Sequence, residues 1–240
     1  MADQSIPRVV ENDSRAMQFW NITCQVTALA STACKTDVQR NVQAVAVFCG
    51  MGEIWRLETA AAQALDTAAR LFVAGTNSRE KTSKSFDEFV MKLLDNYPFD
   101  VSGASDNDPL KKVSLKKVHW LGSSSGINTV VQARWVVQKM QAFKFETVAL
   151  HVSPYHLPRA YATLLKQMLI ANVRFAIIPV SVRIAPHVEI PESGATAWQS
   201  GAGEVERYVK YVDDVATQAE FEEYFAWLYD QPIMKGLALS

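Results

Sequence analysis

Three kinds of feature are scarce in this sequence: excess charge of one sign, cysteine, and long apolar runs. Lys and Arg number 24 against 25 Asp and Glu, a formal net charge of −1. A chain so balanced does not hold nucleic acid through bulk counterion release, so no nucleic-acid partner is expected. The cysteines are only three, Cys24, Cys34 and Cys49, with no CxxC or other regular spacing. They make neither a disulfide framework nor a zinc site; Cys49 closes an apolar run and reads as a small buried hydrophobe. No metal site is expected. No stretch approaches the roughly 18 apolar residues of a membrane span. The beginning, "MADQSIPRVVENDSRAMQFW", lacks the basic-then-apolar pattern of a secretory leader. A reduced, cytoplasmic protein without membrane contact is the expectation. The full GxGxxG fingerprint is missing too, and no acidic residue ends the second apolar run. Both absences argue against a classical dinucleotide site.

What the chain does have is 49% hydrophobic residues against 20% charged, enough to build a core. It also alternates between two periodicities. Residues 14–31 carry Met17, Trp20, Cys24 and Ala28 on one helical face, and residues 32–43 read as a polar connection. Short apolar, β-branched runs at 42–52, 70–77, 116–122, 146–152 and 173–180 predict buried strands. Helical patterns fall between them at 53–68, 85–97, 127–140 and 157–169. The third of these is expected to turn Ile127, Val130, Val131 and Trp135 inward. The fourth is expected to bury Leu157, Tyr161, Leu164, Leu165 and Met168. Residues 98–112 and 181–203 read as loops. In the helical tail Phe221, Tyr224, Phe225 and Leu228 form an apolar stripe suited to packing within the chain or to a partner.

The expected fold is α/β: a Rossmann-like three-layer sandwich, with a five-stranded, mainly parallel sheet and helices on both faces. Its expected parts are an N-terminal helical arm (1–41), the α/β domain (42–180), and a loop with C-terminal helices packed on it (181–240). Ligands of such sheets bind beyond the carboxyl ends of the strands, so the loops there hold the candidates. "CGMGEIWR" offers Gly50 and Gly52 for a tight turn and Arg56 in the helix that follows. "AGTN" offers Gly75, and the next helix opens with Asp87 and Glu88. "LGSSSGINT" sets Ser123, Ser124, Ser125, Asn128 and Thr129 at a helix start, a hydroxyl-and-amide cradle for an anion. "SPYHLPRA" places His156 just before a helix, Pro158 as its first residue and Arg159 next. Cations are misplaced at the positive end of a helix by about 0.3–1 kcal/mol, and a bound anion would relieve that cost. His156 is the candidate for acid–base work. His151 and His119 lie within strands and read as core residues, and His187 lies in a loop.

"SPYHLPRA" (153–160), together with Asn128-Thr129, "FCGMG" and Arg56, resembles the YdcF-like family, related to SanA and ElyC. The likeness spans residues 42–180. It implies a Rossmann-like domain with a small-molecule pocket along its strand ends, and it adds Ser153 and Tyr155 to the ligand-binding candidates. One branch of that family is associated with S-adenosylmethionine. Its envelope-related branches are membrane-anchored, and this chain looks like the soluble branch. It departs from the family at Ser123, where a glutamate is usual, at Val131-Gln132, where Glu-Asn is usual, and at "AGTN", where Gly-Gly is usual. The implied function is binding of, or catalysis on, an anionic or nucleotide-like small molecule. Gly50, Gly52, Ser124, Ser125, Asn128 and Thr129 would form the cradle, and Arg159 the counter-charge. Two alternatives stand beside it. "SSSGINT" resembles the Ser-x-Ser-Gly-x-Thr phosphate loop of the sugar-isomerase family, which would make the chain a phosphosugar-binding domain. The missing carboxylates and the aromatic tail suit a non-catalytic regulatory protein.

Overall fold

Runs of small and β-branched residues that are apolar at every position can only be strands covered on both faces. β1 (Ala44–Phe48) is buried throughout, and β2 (Arg70–Ala74), β4 (Thr147–Val152) and β5 (Ala176–Ser181) are buried at all but one position each. With β3 (Val118–Leu121) they form one sheet of order β3-β2-β1-β4-β5, in which every pairing is parallel. The computed structural model describes residues 5–34, 37–50, 52–75, 118–121, 128–191 and 193–235. The helix expected at 85–97, with Asp87 and Glu88, and the loop at 98–112 lie outside the described residues, as do Ser123, Ser124, Ser125 and Ile127.

The chain runs from β1 outward to β2 and β3, then returns to place β4 on the other side of β1. Right-handed crossovers therefore put α2 (Ile54–Asp66) on one face and α3 (Thr129–Phe143) and α4 (Leu157–Ile170) on the other. The packing agrees: α2 rests on β1, β2 and β4, while α3 rests on β1 and β2 and lies against α4. β1 and β4 are neighbours whose connections leave in opposite directions. Beyond their carboxyl ends the two loops diverge and leave a crevice.

Beyond β5, α5 (Ala197–Lys210), α6 (Gln218–Tyr229) and the short α7 (Pro232–Lys235) complete the structure. α6 buries Phe221, Tyr224, Phe225 and Leu228 inside the chain. Tyr224 also closes the open edge of β5: its hydroxyl accepts from the Ile177 amide at 2.8 Å and donates to the Phe175 carbonyl at 3.1 Å. Among the described residues no helix is long and apolar enough to cross a membrane.

Three expectations are corrected. The first helix, α1, runs Ser5–Cys34 rather than 14–31. It buries Phe19, Ile22, Val26, Leu29 and Ala33, while Met17 is 62% and Trp20 55% exposed and Cys24 and Ala28 face solvent. Two apolar stripes compete on that helix, and the one meeting α4, α5 and β5 wins. In α3 the buried positions are Thr129, Gln132, Ala133, Val136, Val137 and Met140, with Val130, Val131 and Trp135 only half-buried. The helix is rotated so that polar Thr129 and Gln132 point inward at the sheet's end. The 181–203 stretch is helical from Ala197 onward. Thr196 and Gln199 form a reciprocal capping box there, and Gly201 and Gly203 mask the helix from a propensity-based reading.

Candidate functional site

Two buried charge clusters sit side by side in the crevice. The first begins with Glu53, in the turn between β1 and α2. Gly52, at φ 70°, gives that turn its left-handed residue. The Glu53 carboxylate accepts from Ser153 Oγ at 2.5 Å and from Tyr155 Oη at 2.7 Å, and it ion-pairs with Arg56 one turn on. Arg56 is only 3% exposed. Its guanidinium donates to Ser153 Oγ at 2.9 Å, to the Phe48 carbonyl at 3.1 Å and to Tyr155 Oη at 3.0 Å. These bonds tie the end of β1 to the end of β4. Burial, reinforced by Glu53 although countered by Arg56, pushes the Tyr155 hydroxyl well above its usual range, so it stays a donor.

The second cluster surrounds Glu204 of α5, whose side chain is buried. Its Oε2 accepts from Arg159 Nε at 2.5 Å and from His156 Nδ1 at 2.9 Å. Its Oε1 accepts from Arg207 Nη1 at 2.6 Å and from Arg159 Nη2 at 3.3 Å. Arg159 Nη1 also donates to Thr129 Oγ1 at 3.1 Å, which brings in the first turn of α3. A carboxylate only accepts, so the His156 proton sits on Nδ1 and Nε2 is left as the basic nitrogen. Burial lowers the His156 imidazole to about 4, against the opposing pull of Glu204, so it is neutral at pH 7. Burial alone would raise the Glu204 carboxyl, but His156 and Arg159 hold it well below the usual carboxylate range. With His156 neutral, one carboxylate faces two guanidinium groups, and the cluster keeps one net positive charge.

The clusters border a cavity of about 540 Å³. One wall is the strand-end side: Cys49, Gly50, Arg56, Asn128, Thr129, Gln132, Tyr155, His156 and Arg159. The facing wall is α5 and the segments flanking it, with Gln199, Ser200, Gly203, Glu204, Arg207, Tyr211 and Asp214. Asn128 caps α3, its Oδ1 accepting from the Val131 amide at 2.9 Å. The helix thus opens toward the cavity with its positive end. Gln132 is buried and donates from its amide nitrogen to the Cys49 carbonyl at 2.8 Å and the Gly75 carbonyl at 3.3 Å. A carboxylate at that position could do neither.

The crevice therefore gathers Gly50, Arg56, Asn128, Thr129, Tyr155, His156 and Arg159 around one space. Ser153 is fully buried beneath it, Gly75 is held by Gln132, and Gly52 shapes the turn; none of the three lines the cavity. Arg56 is neither a surface residue nor a free cation, because its guanidinium is engaged within the chain. Arg159 already has its counter-charge in Glu204, which removes the expected need for an external anion at that side chain. Glu53, Gln132, Glu204 and Arg207 were not singled out from sequence. The Glu53–Arg56 spacing of one helical turn was a visible signal. So was the polar stripe Gln199, Ser200, Gly203, Glu204, Arg207, Tyr211, which keeps helical period. Among the described residues no group of three or more His, Cys, Asp or Glu side chains could hold a metal ion. The sequence matches no protein-family model, and no curated protein is recognisably similar to it.

Proposed function

We propose that this Rossmann-like domain is a YdcF-like small-molecule-binding protein or enzyme, and that its ligand is an organic anion held in the crevice between the ends of β1 and β4 and the helix α5. The observation that carries this reading is the state of Arg207. Arg159 directs its guanidinium to Glu204 and Thr129. Arg207 gives Glu204 one hydrogen bond, from Nη1, and its side chain is 48% exposed at the cavity wall. It retains donors for a ligand, and it lines the same cavity as Asn128 and Thr129 at the start of α3. The anion-binding guanidinium is therefore Arg207, with Arg159 positioning Glu204 and His156. His156 Nε2, as the basic nitrogen of a carboxylate-oriented imidazole, is the group that would take a proton from a bound substrate.

Calorimetric titration with nucleotides, sugar phosphates and S-adenosylmethionine tests the reading. Arg207→Ala is expected to weaken binding by about tenfold to a hundredfold, the worth of a charge-assisted hydrogen bond, while leaving the fold intact. Wild-type protein that binds no member of the panel, or an Arg207→Ala variant that binds as tightly as wild type, would sink it. The sugar-isomerase alternative has less support. Of its phosphate-loop hydroxyls, Thr129 alone is among the described residues, and it already accepts from Arg159.

A further inference from the structure

The α5 wall carries a second oddity. Gly203 lies in the interior of the helix and lines the cavity. Glycine there disfavours the helix relative to alanine by about 1 kcal/mol. The fold does not require it: a Cβ at 203 would meet only Arg207 Nη1, at 4.0 Å, which is ordinary contact. The absent side chain instead leaves room beside that guanidinium. The lining residues of α5 and its C-cap run from Gln199 to Tyr211, a rise of about 18 Å at 1.5 Å per residue. An inorganic anion would occupy a small part of such a wall. At the end away from the helix start stand an aromatic ring, Tyr211, and a carboxylate, Asp214.

Resting on the anion-binding reading above, we infer that the ligand is a nucleoside phosphate. Its phosphate meets Arg207, in the space left by Gly203, and the first turn of α3, its sugar passes along α5 beyond Arg207, and its base lies toward Tyr211 with Asp214 as acceptor for its amino or hydroxyl donors. Gly203 lies one turn before Arg207 and Tyr211 one turn after it, so the gap at Gly203 makes room for the phosphate, and Tyr211 is then the specificity-determining residue. Gly201, two residues earlier, abuts Tyr155, with a Cβ contact of 3.9 Å, and does not line the cavity; it serves as the control.

The experiment titrates inorganic phosphate, ribose 5-phosphate and AMP into wild type, Gly201→Ala, Gly203→Ala, Gly203→Leu and Tyr211→Ala. Wild type is expected to bind AMP about tenfold or more tighter than phosphate, the usual return of stacking on an aromatic side chain. Both alanine variants at glycine should melt about 2–4 °C higher. Gly201→Ala should keep AMP affinity. Tyr211→Ala should bring AMP down to the affinity of phosphate while leaving phosphate binding unchanged, whereas Gly203→Leu, which fills the space beside Arg207, should weaken phosphate and AMP alike. If Gly203→Leu fails to fold, the Tyr211→Ala arm decides alone. Wild type that binds neither phosphate nor AMP overturns the anion site and this inference with it. Phosphate binding with no preference for AMP overturns the inference and leaves the anion site standing. Ribose 5-phosphate binding as tightly as AMP overturns the placement of a base on Tyr211.

Discussion

Glu204 is 1% exposed, yet it carries a charge. Its two oxygens are shared among Arg159, Arg207 and His156, so the desolvation penalty is offset by several charge-assisted bonds at once. Such a cluster is costly to break from one side. Glu204→Gln should destabilise the protein by about 3–5 kcal/mol, because it leaves Arg159, only 14% exposed, without a counter-charge, and urea unfolding monitored by circular dichroism would measure it. Arg207→Ala, at the half-exposed rim, should cost less than about 1 kcal/mol in the same assay. A loss as large as that of Glu204→Gln would mean that Arg207 is structural. Only the strand-end half of this cluster was legible in sequence. His156 and Arg159 stood out because cations are misplaced at the start of a helix, and Thr129 because it belongs to a hydroxyl-and-amide cradle. Glu204 did not, because an acidic residue on a surface-type helix is ordinary until the helix is docked.

At the scale of elements, α5 decides what the crevice is. Without it, the ends of β1 and β4 with α2, α3 and α4 make an open edge; with it, they make a cavity with two facing walls. Its position follows from contacts far away in the chain, through α1 on one side and the Glu204 bonds on the other. α6 has a different task, covering the edge of β5. Tyr224→Phe keeps the ring packed but leaves the Ile177 amide and the Phe175 carbonyl buried without their partner. It should lower stability by about 1–3 kcal/mol, read as a shifted urea midpoint with an unchanged slope. A midpoint equal to wild type would show that water or a backbone shift replaces the hydroxyl. Helix ends are a further element-scale choice. Ala68, Lys144 and Asn172 all have φ between 50° and 55° just past α2, α3 and α4. Glycine is favoured there, and its absence is one reason the boundaries were hard to place by pattern alone. β1, β2, β4, β5 and α4 were easier, because each buries the residues its apolar period selects.

The whole molecule buries two neutral histidines, and this makes its stability depend on pH. Burial lowers His156 to about 4 and His151 to about 3. His151 sits in β4 with Nε2 2.5 Å from Gln63 Oε1 and with Nδ1 buried without a partner. The unfolded chain takes up both protons near pH 6.5, while the folded chain refuses them until about 4 and about 3. Between those limits the unfolded state binds more protons, so stability falls as the pH drops. Below about pH 4.5 the Glu204 carboxylate acts in the same direction, since the unfolded carboxyl protonates first. The unfolding free energy from urea titrations should therefore decline from pH 7 to pH 4, with a limiting slope near two protons, about 3 kcal/mol per pH unit. A profile flat over that range would contradict the burial of both imidazoles.

Sequence alone determined the α/β class, the parallel sheet and the edge of that sheet where His156, Arg159 and Thr129 meet. These follow from local facts: apolar runs of strand length, amphipathic spacing, and the handedness of the crossovers between them. Tertiary structure alone decided which charges are available. Whether Arg56, Arg159 or Arg207 greets a ligand depends on which carboxylate each one meets. Those partners lie 3 positions away for Arg56 and for Arg207, but 45 away for Arg159, across two helices. Ion pairing at that separation is settled by packing, because only the docked helix removes both charges from water and makes their pairing obligatory.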